Sequence, residues 1–209
     1  MYGGMIRYFN LIAIAKLGYE VSYVDFNNKA ELEGAFKKNT KIVWLESPTN
    51  PLLECYDVKA IAALAKSKGV MVVFDNTSCS PALMTPLDLG VDIVFESGTK
   101  YVAGHSDIIF GFLYTNNEDA FKRIKGLSNL YGACPAPMDC FLALRGLRTL
   151  SLRMQASQSS AMKIAEALEH NPKIEKIYYP GLKSSPYYEI NKQQARGSGA
   201  MIAFTLKEK

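Results

Sequence analysis

Short apolar runs alternate with helical segments between residues 20 and 115. The apolar runs are rich in β-formers and predict strands at 20–26, 41–46, 70–74, 91–96 and 108–115, the last apolar enough to lie inside a sheet. Between them, residues 30–36 have a helical pattern, and a longer helix is predicted from Asp57, a suitable N-cap, to Gly69, a suitable C′ residue. This alternation predicts an α/β fold with a mostly parallel sheet and helices on both faces.

The pattern changes after residue 137. A helix is predicted from Pro137 to about His170, with Gly146 as a weak point, followed by strands near residues 174–181 and 200–206. The change predicts a large domain over 1–150 and the start of a C-terminal α+β domain over 151–209. Two apolar segments are expected to be buried: the first helix, near the N-terminus, and a stripe on the long helix comprising Phe141, Leu144, Leu147 and Met154.

Composition supports a folded chain and disfavours two classes of partner. Of 209 residues, 48% are hydrophobic and 21% charged, which is near the globular average. The net charge is +4, and the basic residues are scattered singly, so a nucleic-acid partner is not expected. No stretch reaches the ~18 uninterrupted apolar residues of a membrane span, so no membrane partner is expected either.

The cysteines give no metal or disulfide pattern. Cys55, Cys79, Cys134 and Cys140 contain no CxxC spacing and have no nearby histidine, so neither a zinc site nor a disulfide framework is predicted. Reduced thiols are typical of a cytoplasmic protein, which is the location we expect.

Polar clusters follow three of the predicted strands, at residues 46–50, 75–77 and 97–100. In an open α/β sheet, ligands bind beyond the carboxyl ends of the strands, so these clusters are the candidate site. Each has a simpler interpretation alone: Asp75 could cap the next turn, and Lys100 could be an ordinary exposed lysine. We expect instead that Lys100 is partly desolvated between its strand and Tyr101, which would lower its pKa.

Together these residues suit one cofactor. A reactive lysine amine can form a Schiff base, the hydroxyls of Ser97 and Thr99 can bind a phosphate, and a buried carboxylate such as Asp75 can keep a pyridine nitrogen protonated. These are the three protein parts that pyridoxal 5′-phosphate (PLP) requires.

Four motifs resemble a known family. In chain order they are YGGMIRYF, ESPTNP, VVFDNTSCSP and SGTKYVAGHSD, and Asn50, Asp75 and Lys100 within them lie 25 residues apart. They are similar to those of the PLP-dependent enzymes of cysteine and methionine metabolism, the trans-sulfuration enzymes. The resemblance implies the large domain of the PLP-dependent aminotransferase fold type I. Later stretches, PAPMDCFLALRGLRTLSLRM and NPKIEKIYYPGL, most closely resemble the cystathionine γ-lyase branch.

The resemblance also assigns roles by position. Lys100 is implied to be catalytic and to form the Schiff base with PLP, and Asp75 to pair with the pyridine nitrogen. Asn50 is implied to hydrogen-bond the phenolic oxygen of the cofactor, while Ser97 and Thr99 contact its phosphate.

Two residues near the N-terminus complete the implied site. Tyr2 is implied to stack on the cofactor ring and to take part in proton transfer, which makes it both cofactor-binding and catalytic. Arg7 is implied to line the substrate end of the pocket.

The implied activity is a carbon–sulfur lyase that cleaves cystathionine to cysteine, 2-oxobutyrate and ammonia. Cystathionine γ-synthase, cystathionine β-lyase and methionine γ-lyase of the same family are alternatives. A homo-oligomer, a dimer of dimers, is implied for the full-length protein. The family's phosphate-binding glycine loop would precede Tyr2, and its carboxylate-binding arginine would follow Lys209. The chain is therefore expected to be an internal fragment, and a catalytically incomplete product that keeps the fold is a further alternative.

Overall fold

A four-stranded sheet forms the centre of the chain in the computed structural model, which describes residues 1–207. Its strand order is β1-β2-β3-β4, with three parallel strands and an antiparallel fourth. The strands are β1 (Ile42–Glu46), β2 (Met71–Asp75), β3 (Ile93–Ser97) and β4 (Gly111–Tyr114). The predicted α/β class with a mostly parallel sheet is confirmed.

Helices surround this sheet and continue beyond it. The α-helices are α1 (Gly3–Tyr8), α2 (Lys29–Ala35), α3 (Val58–Ser67), α4 (Ser80–Leu83), α5 (Glu118–Leu130), α6 (Pro137–Leu147), α7 (Leu150–Glu169) and α8 (Tyr188–Gln194). A π-helical segment, Phe9–Ile14, continues α1, and a 3₁₀ turn covers Pro86–Leu89. Among residues 1–207, no helix combines the length and apolar character needed to cross a bilayer.

The strands alternate their side chains between two faces, and each face has a different covering. Leu45, Phe74 and Val94 are register partners on one face, and all are buried in the main core with apolar side chains from α3 and α7. On the opposite face, the Trp44 ring lies 5.8 Å from the ring of Phe9 in the π-helical segment. Helical segments therefore contact both faces.

The helix α3 shows how local sequence sets these elements. The Asp57 carboxylate accepts the Ala60 N–H at 2.9 Å, which caps the first turn, and Gly69 has the left-handed φ of 69° that a C′ residue needs. The buried residues follow helical spacing and face the sheet: Val58, Ile61, Ala62 and Ala65.

Two predicted strands differ from the structure. Residues 20–26 pair with no strand of the described chain; Val24 and Phe26 pack on the core, but Tyr23 is 53% exposed. Within residues 108–115, only Gly111–Tyr114 form a strand. This strand, β4, is an edge strand of the described sheet and does not lie inside it, and the β4 residue Leu113 is exposed. Both segments have β-forming residues, but a buried strand also needs partners on each side, which the pattern of one segment cannot reveal.

The long predicted helix divides in two near its weak point. Residue Gly146 lies against the carbonyl oxygens of Val102 and Ala103, so a side chain there would overlap this backbone. The helix α6 ends at Leu147 and α7 starts at Leu150.

The predicted burial of two apolar segments is largely wrong. Of the four stripe residues, only Met154 is buried, whereas Phe141, Leu144 and Leu147 are each at least 46% exposed. The N-terminal helical segment exposes Ile6, Leu11 and other apolar side chains as well. Helical periodicity identifies an apolar face but not what covers it, and residues 1–207 do not cover these two faces.

A second, two-stranded antiparallel sheet follows α7. It consists of β5 (Ile174–Tyr178) and β6 (Ala203–Leu206), as predicted from the last two apolar runs. Tyr179 and Leu182 form a small core with Ala161 and Ala165 of α7. A division of the chain near residue 150 stays a prediction.

Candidate active site

The predicted polar clusters meet at one edge of the sheet. Glu46 and Asp75 end β1 and β2 as register partners, and Asp75 is also paired with Phe95 of β3. Ser97 lies two residues beyond Phe95 and therefore on the same face. Its N–H donates to the Thr77 hydroxyl oxygen at 2.8 Å, which joins the loop after β2 to the end of β3. The carboxyl ends of three parallel strands thus bring these groups together.

Asp75 is a buried carboxyl group that forms no ion pair within residues 1–207. It is 6% exposed, and its Oδ1 accepts the Thr77 N–H at 2.9 Å. No lysine, arginine or histidine among residues 1–207 forms an ion pair with it. Burial raises the pKa of Asp75 to about 6. A protonated ring nitrogen would supply the missing positive charge, so the group fits the acid partner of a pyridine cofactor.

The raised pKa predicts a pH-dependent stability for the cofactor-free chain. The ordinary pKa of an aspartate is 3.8 and that of folded Asp75 about 6, so the folded state binds the proton more tightly. The free energy of unfolding should therefore decrease as pH rises from about 4 to about 6, by up to ~1.4 kcal/mol per pH unit. Urea unfolding at half-unit pH steps measures this slope. Asp75→Asn should remove the contribution of this carboxyl group and make the slope shallower, while the contribution of buried Glu96, whose pKa is also raised, remains. An equal slope in both proteins would contradict the prediction.

A tight turn after β3 carries Lys100. The Lys100 N–H donates to the Ser97 carbonyl at 3.1 Å, and the Gly104 N–H donates to the Lys100 carbonyl at 2.8 Å. The predicted partial desolvation of Lys100 is wrong for this chain, because the residue is exposed. No segment of residues 1–207 covers it, so its amine is open to an incoming ligand.

The two predicted phosphate-binding hydroxyls have different surroundings. Ser97 is half-buried, and its hydroxyl has no hydrogen-bond partner among the described residues. The Thr99 hydroxyl accepts the Phe110 N–H at 2.9 Å and donates to the Phe110 carbonyl at 3.3 Å. Ser97 can therefore donate to a phosphate directly, whereas Thr99 would first have to give up its bond to the Phe110 carbonyl.

A buried glutamate connects two further predicted residues. Glu46 accepts the Tyr2 N–H at Oε2 and the Asn50 N–H at Oε1, each at 2.8 Å. These bonds hold the backbones of Tyr2 and Asn50 at the end of β1, while both residues remain exposed. Glu46 is the first residue of the predicted cluster at 46–50, but the sequence analysis assigns it no role, because its contacts with Tyr2 and Asn50 appear only in the structure.

Arg7 is not brought into this cluster. It lies exposed in the last turn of α1, and its guanidinium lies beside Gly3. The predicted substrate contact of Arg7 stays a prediction.

Sequence reasoning also missed Arg153, which supports the lysine turn. From α7, its guanidinium donates to the carbonyls of Tyr101 at 2.6 Å, Val102 at 3.1 Å and Gly146 at 2.8 Å. These bonds fix the backbone that follows Lys100. Arg153 lies about 50 residues beyond that turn, and no spacing rule connects the two.

The set of groups at this edge fits PLP. Within residues 1–207, it contains an accessible lysine, a buried carboxyl group that forms no ion pair, and a Ser97 hydroxyl that has no hydrogen-bond partner. Exposed Tyr2 and Asn50 lie at the end of the neighbouring strand. These are the amine, the ring-nitrogen partner and the phosphate donor that the cofactor needs.

Comparisons with known proteins agree with this chemistry. The family described as Cys/Met metabolism PLP-dependent enzyme matches residues 1–209. The chain is 49% identical over 207 residues to a cystathionine gamma-lyase of Dictyostelium discoideum, covering 99% of this chain and 53% of that protein. It is 40% identical over 209 residues to a cystathionine beta-lyase of Bacillus subtilis, covering 100% of this chain and 53% of that protein.

A solved structure gives the same result for the fold. The cystathionine gamma-lyase of Lactobacillus plantarum, complexed with L-serine, superposes with a TM-score of 0.96 at 42% identity. The match covers 99% of this chain and 54% of that one. The chain therefore spans about half the length of these relatives.

Proposed function

The chain belongs to the Cys/Met metabolism PLP-dependent enzyme family, and from that premise we propose that it is part of a carbon–sulfur lyase acting on cystathionine. Its cofactor is PLP. The proposed reaction consumes cystathionine and water and yields cysteine, 2-oxobutyrate and ammonia, with cleavage of the Cγ–S bond. The similarity to cystathionine gamma-lyases at 49% and 43% identity carries the choice of this reaction.

Four residues of the chain would each bind a different part of the cofactor. Lys100 would bind it covalently, Asp75 would pair with its ring nitrogen, and Ser97 would donate to its phosphate. Asn50 would donate to its phenolic oxygen. When bound, PLP supplies an electron-accepting ring that makes a proton on the substrate's α-carbon acidic.

Proton movement is assigned to two residues. The Lys100 Nζ, once free, would remove the substrate's Cα proton and then carry protons to and from neighbouring carbons. An amine that is held beside the substrate removes a proton faster than a base from solution, because it does not have to diffuse to the reacting carbon. Tyr2 would take part in proton transfer through its hydroxyl, while its backbone is held by Glu46. Thr99 and Arg7 are proposed, respectively, for the phosphate and the substrate end of the pocket.

We also propose that the protein acts as a homo-oligomer. The exposed apolar side chains of α6 and of the N-terminal helical segment support this, because soluble proteins seldom leave several large apolar residues uncovered on one helix. A cytoplasmic location is supported by the four cysteines, which are all free.

Product analysis separates this reaction from its alternatives. The purified chain with PLP and cystathionine is expected to release 2-oxobutyrate and cysteine. Pyruvate and homocysteine would instead indicate a β-lyase, as in the Bacillus subtilis relative. Formation of cystathionine from cysteine and an activated homoserine ester would indicate a γ-synthase, as in a 41% identical protein of Herpetosiphon aurantiacus. Cofactor binding without any product would support a catalytically incomplete chain and overturn the proposed activity.

A further inference from the structure

A second buried carboxyl group lies behind the cofactor edge of the sheet. Glu96 follows Phe95, the register partner of Asp75, so its side chain points to the opposite face. It is 1% exposed. None of the proposed catalytic steps uses it.

Glu96 is held by neutral hydrogen-bond donors. The Asn76 side-chain amide donates to its Oε1 at 2.6 Å, and the Tyr114 hydroxyl donates to its Oε2 at 3.3 Å. No ion pair reaches it within residues 1–207. Burial raises the pKa of Glu96 to about 7. Burying an acid without an ion-pair partner lowers the stability of the fold, so we expect the hydrogen bonds of Glu96 to have a role.

The Asn76 contact leads directly into the loop after β2. The same Asn76 amide donates to the Met84 carbonyl at 3.1 Å, and the Asn76 N–H donates to the Phe95 carbonyl at 2.9 Å. The Asn76 carbonyl accepts the N–H groups of Cys79 at 3.1 Å and Ser80 at 2.8 Å. The Asn76 side chain therefore joins this loop to Glu96 and Met84, while the Asn76 backbone closes the turn from residue 76 to residue 80.

This loop carries two groups of the candidate site. Asp75 comes directly before Asn76, and Thr77 comes directly after it; Thr77 binds both the Asp75 carboxylate and the Ser97 N–H. From this chain of contacts, and resting on the proposed PLP function, we infer that Glu96 is a positioning residue that holds Asp75 and Thr77 in place through Asn76. It acts from the far face of the sheet and does not touch the cofactor.

Amide exchange and cofactor affinity test this role separately. In the chain without PLP, Glu96→Leu is expected to speed hydrogen exchange at the Cys79 and Ser80 amides about tenfold, with no change in α3. In a PLP titration, the same variant should bind about fivefold more weakly. Glu96→Gln retains an acceptor for Asn76 and should stay within about twofold of the unsubstituted chain in both measurements. Glu118→Gln, at an exposed glutamate of α5, is the surface control.

Two results would overturn the inference: unchanged exchange at both amides in Glu96→Leu, or a defect in Glu96→Gln as large as in Glu96→Leu. If Glu96→Leu does not fold, Tyr114→Phe replaces it, because this variant removes only one hydroxyl from Glu96. It should speed exchange at the same amides about threefold, and unchanged exchange there would then overturn the inference. Failure of the unsubstituted chain to bind PLP would instead contradict the proposed function and leave the exchange measurement to decide the role of Glu96.

Discussion

Replacing Lys100 with alanine is expected to abolish covalent attachment of PLP and to reduce lyase turnover by at least about 10³-fold. The turn after β3 places Lys100 at the carboxyl edge of the sheet, where its N–H donates to the Ser97 carbonyl and its side chain is exposed to an incoming ligand. The change removes both the nucleophile that would bind the cofactor and the base that would act on the substrate. Absorbance spectra of the chain with PLP, together with release of 2-oxobutyrate, measure the two losses.

A matched lysine provides the control for this variant. Lys122 is exposed on α5, and its one ion pair within residues 1–207 is with Glu118, so Lys122→Ala should change neither the spectrum nor the turnover. If Lys100→Ala retained the spectrum and activity of the unsubstituted chain, Lys100 would not be the attachment point, and the proposed site would be wrong.

The second large effect is expected for Asp75→Asn. This change preserves the size of the side chain but removes the negative charge that would face a protonated ring nitrogen. A hydrogen bond to a charged group contributes about 1.5–3 kcal/mol, so PLP affinity should fall by about 10- to 100-fold. Cofactor-dependent turnover should decrease further, because a neutral amide does not keep the ring protonated.

Fluorescence titration with PLP measures this affinity. Asp57→Asn is the control, since asparagine caps a helix about as well as aspartate and Asp57 lies at the start of α3. If Asp75→Asn bound PLP as tightly as Asp57→Asn, Asp75 would not be the partner of the ring nitrogen.

Much of the fold could be predicted from the sequence because its signals are local. The Asp57 cap and the left-handed Gly69 mark the ends of α3, and apolar runs mark the three parallel strands. Which segments pair with or cover each other is not a local property of the sequence and could not be predicted in the same way. Residues 20–26 have strand-like composition but pair with no described strand, and the apolar stripe of α6 is exposed because residues 1–207 do not cover it.

In the candidate site, too, the residues with a local sequence signal could be predicted and the others could not. Asp75 and Ser97 could be predicted because each follows an apolar strand, and the carboxyl ends of parallel strands meet at one edge. The residues that support this site from elsewhere in the chain could not be predicted. Arg153 contacts the lysine turn from about 50 residues away, and Glu96 acts from the opposite face through Asn76. The exposure of Lys100 also depends on what covers the turn, which its own neighbours in sequence do not determine.

Chemical trapping of the cofactor tests the central claim most directly. The chain is incubated with PLP, reduced with borohydride and digested, and the modified peptides are identified by mass spectrometry. We predict one stoichiometric modification, on Lys100. A chain that remained unmodified, or that carried the label spread over several surface lysines without preference for Lys100, would contradict the proposed site.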